Sequence, residues 1–249
     1  MRHTSLLTSI PVAIAAFGLA ATVQAQTSAT NASPGIQSSS RSHSSDARDA
    51  QDRVSDAAKI VDQMKQDPNL ARLLHRAKGV FIIPHYGKGA FIVGGQGGGG
   101  VVLAHRDGKW SNPAFYSIGG GSIGAQAGGE GGSIVMILMT QKAVNKFASS
   151  NSTWALNGNA GLTVVTWSGK AQLETGKGDV IVWANTSGLY GGLTASVTDI
   201  TPDTGMDHAY YGERVSSRQI LHGSVTGTAA MSANAEPLRN ALSTRVASK

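Results

Sequence analysis

The 249-residue chain contains no cysteine. That excludes a disulfide framework, a cysteine nucleophile and thiolate metal sites, so the fold must hold by packing alone. Charge is scarce as well, with Asp, Glu, Lys and Arg at 14% and aromatic residues at 6%. No basic run of the kind that tracks nucleic acid occurs, which argues against that partner. The seven histidines, at 3, 43, 75, 85, 105, 208 and 222, never fall two to four residues apart, so zinc ligation has no support in their spacing. Neither a metal nor another cofactor is expected. Long apolar runs are missing too, with one exception at the N-terminus.

That exception runs from Leu6 to Ala21, behind Arg2 and His3, and closes on Val23-Gln24-Ala25. A small-x-small ending is what a signal peptidase reads, so residues 1–25 are a signal peptide. The run is too short for a stable transmembrane helix, and no later stretch approaches a span. The residue after the cut is Gln26, which cannot carry a lipoprotein anchor. The expected location is therefore the periplasm, the outer-membrane surface or the medium. Loss of Arg2 from 21 Lys and Arg, set against 15 Asp and Glu, lowers the formal charge from +6 to +5. The excess favours anionic partners, and outside the cytoplasm those are lipid head groups and surface polymers.

Residues 26–45 are mostly Ser, Thr, Asn, Ala and Gln and read as a disordered linker. From Asp46, Val54, Ala57, Ala58, Val61 and Met64 recur at helical spacing. Asp67-Pro68 pairs an N-cap with a first helical position, opening a second helix through Leu70, Leu73, Leu74 and Ala77. Short β-rich runs follow from Val80 to Val197, joined by glycine-rich segments. Asp107-Gly108, between Arg106 and Lys109, is a two-residue hairpin signal. Ile134 to Met139 is continuously apolar, as in a strand buried on both faces. A helix interrupts at Thr140 to Ser149. Two more helices follow the sheet: Ser216 to Leu221, opened by the capping pair Ser216 and Gln219, and a short terminal one at Leu238 and Leu242 behind Pro237. The expected architecture is α+β: about eight to ten short, mainly antiparallel strands in a curled or barrel-like sheet flanked by helices. Seventeen of the 32 glycines lie between Gly87 and Gly132, which points to bulges and sharp curvature there.

Two glycine motifs invite enzymatic readings. Gly95 to Gly100 and Gly119 to Gly124 fit GxGxxG, but no helix follows either, so the pyrophosphate contact is missing. Gly120-Gly121-Ser122-Ile123-Gly124 fits GxSxG and would make Ser122 a nucleophile, with His208 or His222 and one of Asp199, Asp203 or Asp207. That elbow belongs to alternating strands and helices, which are absent here, so a serine in a glycine-rich strand crossing is the preferred reading.

Several pieces in one order resemble the SYLF domain. They are Ala77-Lys78-Gly79-Val80 through Pro84, Phe91 to Gly95, Gly100 to Leu103 and Trp110-Ser111-Asn112-Pro113-Ala114-Phe115. Gly120 to Gly128, Gly188-Leu189 to Ser196 and Tyr210-Tyr211-Gly212 to Leu221 complete the series. The likeness covers about residues 50–222, so the domain is placed at 46–222 with a tail at 223–249. It is similar to an exported bacterial branch of a family whose eukaryotic members bind phosphoinositide membranes and whose yeast members bind actin filaments. The resemblance implies a phospholipid-binding domain without a catalytic set. It also implies lipid contacts from the first helix, here Arg48, Arg53 and Lys59. Five aspartates share that helix (Asp46, Asp49, Asp52, Asp56 and Asp62), and a structural cover for the sheet is an equal reading of it.

The expected function is non-enzymatic binding of anionic or zwitterionic phospholipid membranes in a bacterial envelope. Lys88, Lys109, Lys170 and Lys177, at expected turns, would add electrostatic contacts. The alternatives are a serine hydrolase of lipid or acyl esters using Ser122, and an envelope protein with no lipid ligand. The signal sequence makes one direct prediction. The exported protein begins at Gln26, and an intact mass that retains residues 1–25 would contradict it.

Overall fold

The computed structural model describes residues 34–88, 96–119, 132–149, 151–156, 161–167, 178–185 and 197–243, leaving aside the side chains of 34–43, 88, 96, 197 and 198. Helix α1 (Pro34–Met64) opens the fold, and its buried stripe is Ala50, Val54, Ala57, Ala58, Val61 and Met64. It begins twelve residues ahead of Asp46, so residues 34–45 are helical where a disordered linker was expected. No Gly or Pro stands between Gln37 and Met64, and a polar stretch extends a helix already nucleated by packing at little cost. Helix α2 (Pro68–Arg76) starts as its sequence requires. Asp67 accepts from the Asn69 N–H at 2.7 Å, and Pro68 needs no partner for the N–H it lacks.

Nine strands follow among the described residues: β1 (Gly79–Lys88), β2 (Gln96–Arg106), β3 (Lys109–Trp110), β4 (Ala114–Gly119), β5 (Gly132–Leu138), β6 (Trp154–Leu156), β7 (Val164–Thr166), β8 (Val180–Asn185) and β9 (Val197–Pro202). Helix α3 (Gln141–Ser149) lies between β5 and β6. The chain continues from β9 into α4 (Thr204–Tyr211), α5 (Ser217–Leu221) and α6 (Ala229–Ser243). The sheet order is β6-β9-β4-β2-β1-β5-β8-β7, with β3 paired to β2. Every pairing is antiparallel except β7 with β8. The expected α+β class with a curled, nearly closed sheet is the one observed. Phe91–Val93, Gly120–Gly128, Ser168-Gly169 and Leu189–Ser196 lie outside the described residues.

Three rings show how far the sheet curls. Phe147 of α3 meets Phe81 of β1 and Tyr116 of β4 at 5.4 Å each, and Trp154 of β6 at 5.0 Å. Strands β1 and β6 stand four places apart in the sheet order, which in a flat sheet would separate them by about 19 Å. One phenylalanine touches both, so the sheet wraps around α3. The other face carries Val101 and Phe115, and Phe115 packs on Tyr210 of α4 at 5.1 Å. Helix α1 lies on that face, against β1, β2, α4 and α6.

Two of these helices depart from expectation. Helix α4 was not anticipated. Asp203 forms its N-cap by accepting from the Met206 N–H at 3.0 Å, and Gly212 ends it at φ 70°. Helix α6 holds Pro237 in its interior instead of at its start, which deprives the Ala233 carbonyl of its helical donor. The helix persists because Ala235, Leu238, Ala241 and Leu242 are buried on either side of the proline.

Glycines in β2 allow the close packing. A Cβ on Gly100 would collide with the Ile82 carbonyl oxygen and stand 2.7 Å from Phe81 Cε2, whereas one on Gly119 would meet, among the described residues, only Asp199 Cβ at 3.8 Å. Gly100→Ala should therefore lower stability by about 1–3 kcal/mol, with Gly119→Ala nearly neutral, as read by denaturant midpoints. Equal midpoints for the two variants would contradict this packing account.

Candidate anion-binding site

The β2–β3 hairpin turns through Asp107 at φ 50° and Gly108 at φ 74°, the left-handed pair that a two-residue turn of this hand needs. Tight reversal sets Arg106 opposite Lys109 and His105 opposite Trp110. The two rings of the second pair stack at 4.7 Å. Beyond β3, the Ser111 hydroxyl accepts from the Ala104 N–H at 3.0 Å and donates to the Asn112 carbonyl at 2.8 Å. Asn112 Nδ2 donates to the Val225 carbonyl at 2.9 Å, and its Oδ1 accepts from the Arg239 guanidinium of α6. Arg239 donates a second bond to the Ser232 carbonyl at 3.1 Å. Tyr211 closes this wall by donating to the Pro113 carbonyl at 2.6 Å.

These ties frame an open cavity of about 540 Å³, lined by Arg106, Lys109, Trp110, Asn112, His222 and Arg239 among others. His222 arrives as the C-cap of α5, whose capping box between Ser216 and Gln219 forms as expected. Asp107 is the one carboxylate on the lining. Arg106 donates through Nη2 to Asn145 Oδ1 at 3.2 Å, while its Nε is buried with no hydrogen-bond partner. Loss of hydration, then the cations of Arg106 and Arg218, hold the His222 imidazole below its ordinary pKa. The field inside is positive, and an anion is what such a cavity can hold. A second cavity of about 680 Å³ beside α4 has Arg214 as its one permanent cation, next to His208 and Asn151.

Of the seven residues expected to touch lipid, Lys109 lines the basic cavity. Arg48 is exposed on α1, ahead of the helix's first buried residue. Lys59 is exposed and donates to Asp56 at 2.8 Å; Asp56 also bonds His85 Nε2 at 2.8 Å. Both bonds hold the Asp56 carboxyl below its usual range, that from Lys59 more strongly. Arg53 is turned inward, with 21% of its side chain exposed. Its guanidinium covers Gly99, where a Cβ would strike it, and lies 3.9 Å from Asp203. Burial lowers the Arg53 pKa, opposed by the charges of Asp203 and Asp49. The Lys88 side chain and all of Lys170, Lys177 and Ser122 lie outside the described residues. Arg106 and Arg239 escaped notice as partners because 133 positions separate them and only α6 brings them together.

The acidic side chains in and after β9, among them the three weighed as partners for Ser122, serve separate ends. Asp203 caps α4 and faces Arg53, while Asp199 and Glu213 are exposed. No group of three His, Asp or Glu able to hold a metal occurs among the described residues. Asp207 is fully buried, its Oδ1 accepting from the Phe115 N–H at 2.9 Å and its Oδ2 without a partner. Burial raises its pKa to about 8, helped by Asp203 and opposed by the Phe115 bond. Between the unfolded value near 3.8 and about 8, the folded state keeps a proton that the unfolded chain has released. Asp207 therefore subtracts stability as pH rises through that window. Asp207→Asn, which stays neutral, should gain melting temperature over wild type from pH 5 to pH 8; a constant difference would contradict the assignment.

A small α+β domain with a basic cavity has counterparts among known proteins. A family model named Ysc84, described as Las17-binding protein actin regulator, matches residues 119–245. The chain belongs to this Ysc84 family, the SYLF domain family that its motifs resemble. It is 30% identical over 178 residues to Protein YSC84 of Saccharomyces cerevisiae, which covers 70% of this chain and 37% of that protein. It is 28% identical over 179 residues to an SH3 domain-containing protein of Schizosaccharomyces pombe, covering 70% of this chain and 40% of the other. The chain thus spans well under half the length of these curated relatives.

Proposed function

We propose that this chain is a non-enzymatic binder of anionic phospholipid membrane surfaces, exported to a bacterial envelope and acting in the periplasm or at the outer membrane. The observation that carries the reading is the convergence of Arg106, Lys109 and Arg239 on one open cavity at the hairpin end. Three permanent cations at one end of a chain whose formal charge is +5 once residues 1–25 are removed suit attachment to a negative surface. Trp110 lies among them, buried and stacked on His105, and stiffens the wall that carries the charges. No helix among the described residues is long and apolar enough to cross a membrane, which fits peripheral attachment. The signal-like residues 1–25 support export, so the actin role printed for the family model is not carried over to this chain.

A hydrolase built on Ser122 has less support. The charged neighbours of His222 are Arg106 and Arg218, where a base in such a mechanism would need a carboxylate to orient it. Asp207, a carboxyl named for that part, is buried and already engaged by the Phe115 N–H.

Co-sedimentation tests the reading. Wild type should bind phosphatidylcholine vesicles containing phosphatidylglycerol better than phosphatidylcholine alone, and less in 1 M than in 0.15 M salt. Lys109→Glu should weaken that binding by about tenfold, since each basic residue near the surface contributes about 1 kcal/mol and the reversal adds repulsion. Binding that ignores both salt and this reversal would remove the basic end from the mechanism.

A further inference from the structure

The cavity at the hairpin end contains more than a general positive charge. Its permanent cations are Arg106, Lys109 and Arg239, opposed on the lining by Asp107, which leaves two positive charges in excess. A phosphodiester carries one negative charge, whereas a phosphomonoester carries about 1.5 to 2 near neutral pH. Charge balance thus favours the monoester. Arg106 supplies the geometry. Its Nη2 donates to Asn145 Oδ1 at 3.2 Å, which orients the guanidinium at the cavity wall. Arg239 is also held in place, by Asn112 and Ser232, so no large side-chain ordering is needed on binding. Trp110, Leu221 and Val225 form the apolar part of the wall. A volume of about 540 Å³ exceeds the needs of a phosphate alone and leaves room for a small polar body attached to it.

We propose that this cavity is a phosphomonoester site, formed by Arg106, Lys109 and Arg239, that discriminates against phosphodiesters. In its lipid-borne form the ligand is a monoester head group, and that form rests on the membrane-binding reading above; a soluble phosphomonoester satisfies the same chemistry without it.

Titration of the full chain separates the two readings. Glycerol 3-phosphate and the diester glycerophosphoglycerol are titrated by calorimetry, followed by vesicles containing phosphatidic acid or phosphatidylglycerol matched for surface charge. The expected result is saturable binding of glycerol 3-phosphate, at least tenfold tighter than the diester and lost in Arg106→Gln. Thermal melting controls for the fold of that variant, and Lys109→Gln, exposed and free of structural bonds to the wall, gives an independent weakening. Preference for phosphatidic acid over phosphatidylglycerol vesicles identifies the lipid as a source. Monoester binding without vesicle binding upholds the site and overturns the membrane reading. Equal binding of both vesicles with no saturable monoester binding overturns the site and leaves the membrane reading standing. Monoester binding that survives in both variants with unchanged affinity also overturns the site.

Discussion

The close seat of α1 on the glycine strand β2 is the contact on which the rest of the arrangement depends. Gly99 offers no side chain, so the Arg53 guanidinium lies against the strand and reaches towards Asp203 at the start of α4. Beside it, Ala50, Val54, Ala57 and Val61 bring the helix backbone down onto the sheet. Small residues on both partners make this approach possible, and dispersion over the shared area holds it. The opposite face of the same strand is equally constrained, because Gly100 lies under the Ile82 carbonyl and Phe81. The strand is squeezed from two sides, which explains why glycine occupies consecutive positions in it.

That seat decides what α1 is free to do. An amphipathic helix binds a membrane by burying its apolar face in lipid, and here the described part of that face is already buried in protein. Further ties fasten the helix to α6: Lys65, just past the end of α1, donates to the Ala241 carbonyl at 2.8 Å, and Asn234 donates to the Gln51 carbonyl at 3.4 Å. Helix α6, so held, carries Arg239 to Asn112 and completes the basic wall. The packing of α1 and the charge of the cavity are therefore linked through α6. In the proposed function the hairpin end meets the anionic ligand while α1 stays in place.

Local physics made several of these features legible in the sequence. Asp107-Gly108 demanded left-handed backbone and forms the hairpin turn; Asp67-Pro68 and Ser216 with Gln219 are caps whose bonds lie within three residues. The apolar stretch at Ile134 became a central strand because nothing else could bury it on both faces. Features that depend on distant partners were not legible. Asp203 and Asp207 look like surface acids until Arg53 and the Phe115 N–H come to meet them. Helix α6 survives its internal proline through tertiary burial, which no propensity reports. Lys109 was visible because a turn exposes it, while Arg106 and Arg239 become one site only after the chain has folded.

Hydrogen–deuterium exchange on the full chain, with and without vesicles containing phosphatidic acid, tests the central claim most directly. The account predicts new protection at residues 105–112 and 222–226, with residues 50–64 of α1 as slowly exchanging as in the free protein. Faster exchange across residues 50–64 with no change at the hairpin would mean that α1 leaves the glycine strand to enter the membrane, and would contradict the account.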